Sequence, residues 1–194
     1  MSNNISHMNI QVNPNAMQAV GTSEATRLQN EGIALERMGD YAGAEQRFLR
    51  AIEIRNQAYG PGNNYVAINQ NSLGELYLKQ GRLDDAESVL LEALDARENR
   101  LGNDFDAAVT RESLAQLYEV RGDGPAAKAM RTRGFPDNIA CGNYKCPAQA
   151  LTARQVRRCG RCQCAMYCTP VCQKADWKRH KKYCEAVALS LGRP

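Results

Sequence analysis

The stretch CGRCQCAMYCTPVCQKADWKRHKKYC, residues 159–184, decides how the C-terminal part of the chain folds. With Cys141 and Cys146 just upstream, it accounts for all 8 cysteines and one of the 2 histidines. Seven of those cysteines and His180 sort into close pairs: Cys141/Cys146, Cys159/Cys162, Cys168/Cys172 and His180/Cys184. Two ligand atoms a few residues apart can be presented to one metal ion by a single turn. Zinc takes four such ligands in a tetrahedron, so four pairs make two closed sites. The i, i+4 spacing of Cys168/Cys172 and of His180/Cys184 places each couple on one face of a short helix.

An even number of cysteines also suits a disulfide framework. Against that, the chain before Cys141 contains no cysteine, and His180 keeps register with the cysteine pairs. Residues 1–22 also lack the basic, apolar and cleavage regions of a secretory signal. Reduced, metal-bound thiols are therefore expected, in a cytoplasmic or nuclear compartment. Cys164 lacks a partner pair; it is expected to be a spare thiol, with substitution for a neighbouring ligand as the alternative.

Cys159-Gly-Arg-Cys162, Tyr167-Cys168, Cys172-Gln173 and Asp176-Trp177-x-x-His180-x-x-x-Cys184 together resemble the MYND zinc finger. The resemblance implies a cross-brace in which alternate pairs share a metal. One zinc then falls to Cys141, Cys146, Cys168 and Cys172, the other to Cys159, Cys162, His180 and Cys184. It also implies that Gln173 and Trp177, four apart on one helical face, take up short proline-rich peptides such as Pro-x-Leu-x-Pro. Two departures stand out. Four residues separate Cys141 from Cys146 where the family usually has two, which predicts a looser knuckle. Gly160 stands where a hydrogen-bonding Ser is sometimes found.

Outward from the finger, a phrase recurs. Gly39-Asp-Tyr-Ala-Gly-Ala44-Glu aligns with Gly81-Arg-Leu-Asp-Asp-Ala86-Glu and with Gly122-Asp-Gly-Pro-Ala-Ala127-Lys. Gly32, Gly74 and Ala115 form a small column, and Leu35, Tyr77 and Tyr118 a larger one. Such periods with helix–turn–helix content mean a solenoid whose units bury their faces on one another. Small residues at a helix crossing let the helices approach closely. Residues 24–133 resemble the tetratricopeptide repeat, in the stretched form of kinesin light chains. Asn56 and Glu98 replace the usual helix-ending Pro, so the second helices are expected to run on by a turn. The third unit is degraded at Arg131 and Gly134, where a large apolar residue and Ala are expected.

The expected architecture is mostly α. A disordered tail (1–22, with an unpartnered His7) precedes a solenoid (23–133) whose first helix is capped by Ser23. A linker (134–140) too short to swing freely leads to the finger (141–184) and a C-terminal tail (185–194). Chelation is expected to abolish the finger and spare the solenoid. Residues 1–138 carry 14 basic and 19 acidic side chains, a net −5, whereas residues 139–194 carry 11 and 2, a net +9. Thiolates bound to zinc offset part of that basic excess.

By repeat register the concave face carries Gln29, Ile33, Glu36, Asn71, Glu75, Leu78, Glu112, Gln116 and Glu119. It is either a groove for a basic or polar peptide or a solvated face. Saturated zinc sites, no histidine but His7 left to act as base, and no glycine-rich nucleotide loop argue against an enzyme. The expected role is a non-catalytic protein–protein interaction adaptor, with no membrane span. The alternative is a basic zinc-finger module contacting nucleic acid in transcription regulation, through Lys174, Lys178, Arg179, Lys181 and Lys182.

Overall fold

The computed structural model describes residues 14–100, 104–148 and 151–193. His7, the first 13 residues of the expected tail, and Leu101-Gly102 of the second inter-repeat link lie outside them. Three antiparallel helix pairs follow one another: α1 (Pro14–Met38) with α2 (Tyr41–Tyr59), α3 (Asn64–Gln80) with α4 (Leu83–Asp95), and α5 (Asp104–Val120) with α6 (Gly124–Thr132). Helix α4 continues into a π-helical turn, Ala96–Arg100. The first helix begins at Pro14 and not at Ser23, so part of the expected tail is helical. Proline's fixed φ suits a first turn, and Asn15–Val20 contains neither proline nor glycine to stop it.

The recurring phrase is the turn inside each pair. Gly39, Gly81 and Gly122 adopt φ of 85°, 75° and 76°, the left-handed region that glycine enters without a Cβ penalty. Asp40 and Asp123 then cap the next helix by accepting from Gly43 N and Ala126 N. The small column works as a close crossing. A Cβ on Gly32 would stand 2.5 Å from Phe48 Cε1, and one on Gly74 would stand 2.5 Å from Leu90 Cγ. Tyr77 and Tyr118 donate their hydroxyls to Glu45 and Glu87 on the second helix of the preceding pair, at 2.8 and 2.7 Å. Buried arginines join one pair to the next. Arg55 donates to Tyr65 O and Asn69 Oδ1, and Arg97, one period on, donates to Asp106 O and Thr110 Oγ1.

The concave face is neither a bare groove nor a solvated surface. Its polar members bond to one another and to the neighbouring repeat. Gln29 donates to Ser72, Lys79 pairs with Glu36, and Glu75 accepts from Asn71 and Ser113. Its third-repeat members are covered by the cysteine-rich region: Gln116 reaches Gly142 O, and Glu112 and Glu119 are buried.

That region holds a two-stranded antiparallel ribbon, β1 (Arg157–Arg158) and β2 (Met166–Tyr167), then α7 (Pro170–His180) and α8 (Cys184–Ser190). Residues 185–194, expected as a tail, instead contribute α8. Its Val187 and Ala188 are buried, and Ser190 Oγ accepts from Gly124 N at 3.0 Å. The closeness needs a glycine, since a Cβ on Gly124 would lie 2.8 Å from Val187 O. The expected linker is tied down as well. Arg111 donates to Asn138 O at 3.0 Å, and Ile139 exchanges backbone hydrogen bonds with Leu151. Ala115 and Ala127 of the third pair share one apolar core with Cys159, Cys162, Met166, Tyr167 and Val187. The solenoid end and the cysteine-rich region are thus packed together, with no free hinge between them.

Candidate metal centre and the interface that supports it

The structure brings the paired cysteines into two groups. Cys141, Cys146, Cys168 and Cys172 form one, and Cys159, Cys162, His180 and Cys184 the other; within each, the ligand atoms lie within 4.8 Å of one another. Sγ–Sγ separations are 3.4 Å for Cys146–Cys168, 3.5 Å for Cys168–Cys172 and 3.7 Å for Cys159–Cys184; His180 Nε2 stands 3.5 Å from Cys162 Sγ. A tetrahedron with zinc–sulfur bonds of about 2.3 Å has edges of roughly 3.8 Å, so both groups have the size and donor chemistry for zinc. Three or four thiols crowded together cannot all ionise unaided. Burial pushes the Cys141, Cys146 and Cys184 thiols up, while the hydrogen bond from Cys162, then that from His180, draws Cys159 down to about 3. A dication would permit all the thiolates at once.

Local sequence explains how the ligands are held, with two departures from expectation. Cys168 precedes α7, because Thr169 caps that helix and Pro170 opens it; His180 ends α7 and Cys184 starts α8. Each couple therefore straddles a helix end and does not share a helical face. The long knuckle is braced where looseness was expected. Asn143 accepts from Lys145 N through its side chain and from Cys146 N through its carbonyl, and Gly142 N donates to Met166 O at 2.8 Å. Cys164 belongs to neither group; it is buried with its Sγ 3.2 Å from Arg131 Nη1.

Behind the second group lies a buried ion network that sequence reading missed. Arg131 clasps Glu112 through two hydrogen bonds of 2.8 and 2.7 Å and donates to Glu119 Oε1 at 2.7 Å. Glu119 Oε2 accepts from Arg179 at 2.8 Å, and Arg179 makes a two-pronged contact with Asp176, both bonds 2.7 Å. Tyr167 closes the chain by donating to Asp176 at 2.7 Å. Burial pushes the Glu119 carboxyl up, but Arg131, His180 and Arg179 outweigh it and hold it below the usual range. The one signal in the sequence was Arg131 itself, a charge where the repeat wants an apolar residue.

A tetratricopeptide-repeat family model matches residues 23–99 and 65–130, more than half of the chain, and a MYND-finger model matches residues 140–184. The chain belongs to the tetratricopeptide-repeat family and carries a MYND finger. The MYND-type zinc finger protein samB of Aspergillus clavatus is 44% identical over 98 residues, and that of Emericella nidulans 32% over 95. These matches cover 50% and 49% of this chain but only 14% of each relative's length. The crystal structure of BtubC (BKLC) from P. vanneervenii superposes with a TM-score of 0.53 at 16% identity, over 95% of this chain and 68% of that one. It shares the fold.

On the MYND finger, Gln173 and Trp177 do lie on one face of α7. With Pro170 and Lys174 they line a shallow depression of ≈ 310 Å³. Trp177 is 45% exposed, and its ring centroid is 6.1 Å from that of His180, so it covers the second group with one side and meets solvent with the other. The basic cluster is smaller than expected, because Arg179 turns inward to Asp176 and Glu119. Lys174, Lys178, Lys181 and Lys182 stay exposed. Between finger and solenoid opens a cleft of ≈ 510 Å³, with Tyr41, Leu78, Tyr144 and Tyr183 on its walls and Glu75 and Lys182 at polar points. No helix among the described residues is long and apolar enough to cross a membrane.

Proposed function

We propose that this chain is a non-catalytic adaptor whose MYND finger is built on two zinc ions and offers the Gln173/Trp177 face to short proline-rich peptides. Both repeat and finger are typical protein-interaction modules, which supports a protein partner. In this reading Cys141, Cys146, Cys168 and Cys172 hold one ion, and Cys159, Cys162, His180 and Cys184 hold the other. Zinc supplies folding free energy to an element with too little apolar surface to fold alone. Each site takes four protein ligands, which leaves no open position of the kind catalysis at zinc requires.

The observation that carries the peptide reading is the half-exposed Trp177 beside Gln173 and Pro170. A large aromatic left open next to a hydrogen-bonding amide is the shelf on which a preformed polyproline helix docks with little loss of entropy. Trp177 is the single tryptophan of the sequence, so its fluorescence reports this surface alone. Titration with a Pro-x-Leu-x-Pro peptide is expected to shift its emission saturably. Gln173→Ala, which removes no metal ligand, is expected to abolish the shift while keeping zinc content. An unchanged emission, or equal binding by Gln173→Ala, refutes the peptide reading. If instead nucleic acid is bound with a steep salt dependence that Lys181→Glu with Lys182→Glu removes, the four exposed lysines carry the function.

A further inference from the structure

We propose that Glu119, a residue of the third repeat, is the positioning partner of His180 in the second metal site. The MYND finger would then be completed by a side chain from outside it. The inference rests on the zinc reading above. His180 is fully buried, with Nε2 facing Cys162 Sγ at 3.5 Å and therefore in place as the metal-binding nitrogen. Its other nitrogen, Nδ1, is buried and has no hydrogen-bond partner within ordinary geometry. The group facing Nδ1 is Glu119 Oε1, at 3.5 Å. A buried N–H without an acceptor is costly, and metal-binding histidines almost always donate their second N–H to a carboxylate or carbonyl. That bond selects the tautomer, fixes the ring and makes the coordinating nitrogen a better donor.

Glu119 is suited to this task by its own surroundings. It is fully buried, and each of its oxygens is anchored: Oε1 by Arg131 at 2.7 Å and Oε2 by Arg179 at 2.8 Å. The carboxylate therefore keeps its place and its charge before any metal arrives. Glu119 lies in α5, whereas the finger match begins at residue 140. Loading of the His180 site is accordingly linked to docking of the finger on the solenoid. Anything that separates the two therefore weakens that site.

The test uses full-length protein loaded with metal, first confirming two ions per chain. Two-bond 1H–15N spectra are simple here, because His7 is the only other histidine. Wild type is expected to show His180 protonated on Nδ1, and Glu119→Gln to move that resonance. In Co2+-substituted protein, where a four-sulfur site and a three-sulfur, one-nitrogen site absorb differently, Glu119→Gln is expected to speed chelator-driven release from the His180 site about 10–100-fold. Release from the four-cysteine site should stay unchanged. Glu112→Gln is the control, since it also unpairs Arg131 but does not face His180; it should alter neither rate. If Glu119→Gln does not fold, Glu119→Asp keeps the charge for both arginines, draws the carboxylate back from His180 and should give the same shift. Unchanged release and resonance in these variants, or equal acceleration by Glu112→Gln, overturns the inference while leaving the zinc reading standing. Wild type lacking metal at the His180 group refutes the zinc reading, and the inference with it.

Discussion

Replacing Arg131 by Met is the sharpest perturbation of the joint between solenoid and finger. The Arg131 side chain is 1% exposed and makes three hydrogen bonds of 2.7 to 2.8 Å with two carboxylates that are themselves buried. Methionine fills most of the same volume, so the cavity contribution is small and the loss is electrostatic. Glu119 keeps Arg179, but Glu112 is left with only the amide of Gln116 at 3.1 Å. Removing one partner of a buried ion pair costs about 3–5 kcal/mol. With a urea slope near 2 kcal/mol per M, the unfolding midpoint should fall by about 1.5–2.5 M. The assay is urea titration by far-UV circular dichroism at fixed free zinc, because metal binding shifts apparent stability. Arg131→Lys keeps charge but cannot clasp Glu112 with two prongs, so an intermediate loss is expected. Adding Glu112→Gln to Arg131→Met removes the orphaned charge and should recover part of the loss. A midpoint change equivalent to less than about 1 kcal/mol in Arg131→Met, well under the cost of breaking a buried pair, would refute the view that this network holds the joint.

Gly74→Val should destabilise by about 1–3 kcal/mol through overpacking, read as a lower thermal midpoint, since its Cβ would meet Leu90 Cγ at 2.5 Å. Chelation should strip hydrogen-exchange protection from α6 and the end of α5 while leaving α1 to α4 protected, because the third pair shares its core with the finger; uniform retention across α1 to α6 would contradict this. Cys164→Ser should leave zinc content unchanged by elemental analysis, because Cys164 lies outside both ligand groups. Burial, then Glu45 and Glu87 respectively, push the Tyr77 and Tyr118 phenols up to about 12. Their neutral forms are favoured in the fold, so their stabilisation is intact below the unfolded value of about 10 and is lost as pH rises from there towards 12. Absorbance at 295 nm should show Tyr77 and Tyr118 titrating late, with Tyr167, which burial and Asp176 push higher still, later again, and alkaline unfolding should begin in that window.

Much of this architecture was legible because it is periodic. The glycine turns, the Gly32/Gly74/Ala115 column and the cysteine pairs each repeat a local rule, and a local rule is visible in a string of residues. What was not legible depended on contacts between distant segments. Arg131 looked like decay of a repeat, yet it is the hub joining Glu112 and Glu119 to the finger. Glu119 looked like a groove residue because helical register placed it on the concave face; only the fold shows that the finger occupies that face. Residues 185–194 read as a tail because α8 is short, and its apolar residues gain a reason only when Gly124 is seen against them. The chelation expectation changes for the same cause: ligands confined to the finger do not make the solenoid independent when the two share a core.

Two metal ions, one in each four-ligand group, are proposed to hold the finger together. Elemental analysis of the purified full-length chain tests that proposal most directly. Two zinc per chain, falling to one in Cys159→Ser, is the expected result; one or none in the wild-type protein would contradict the account.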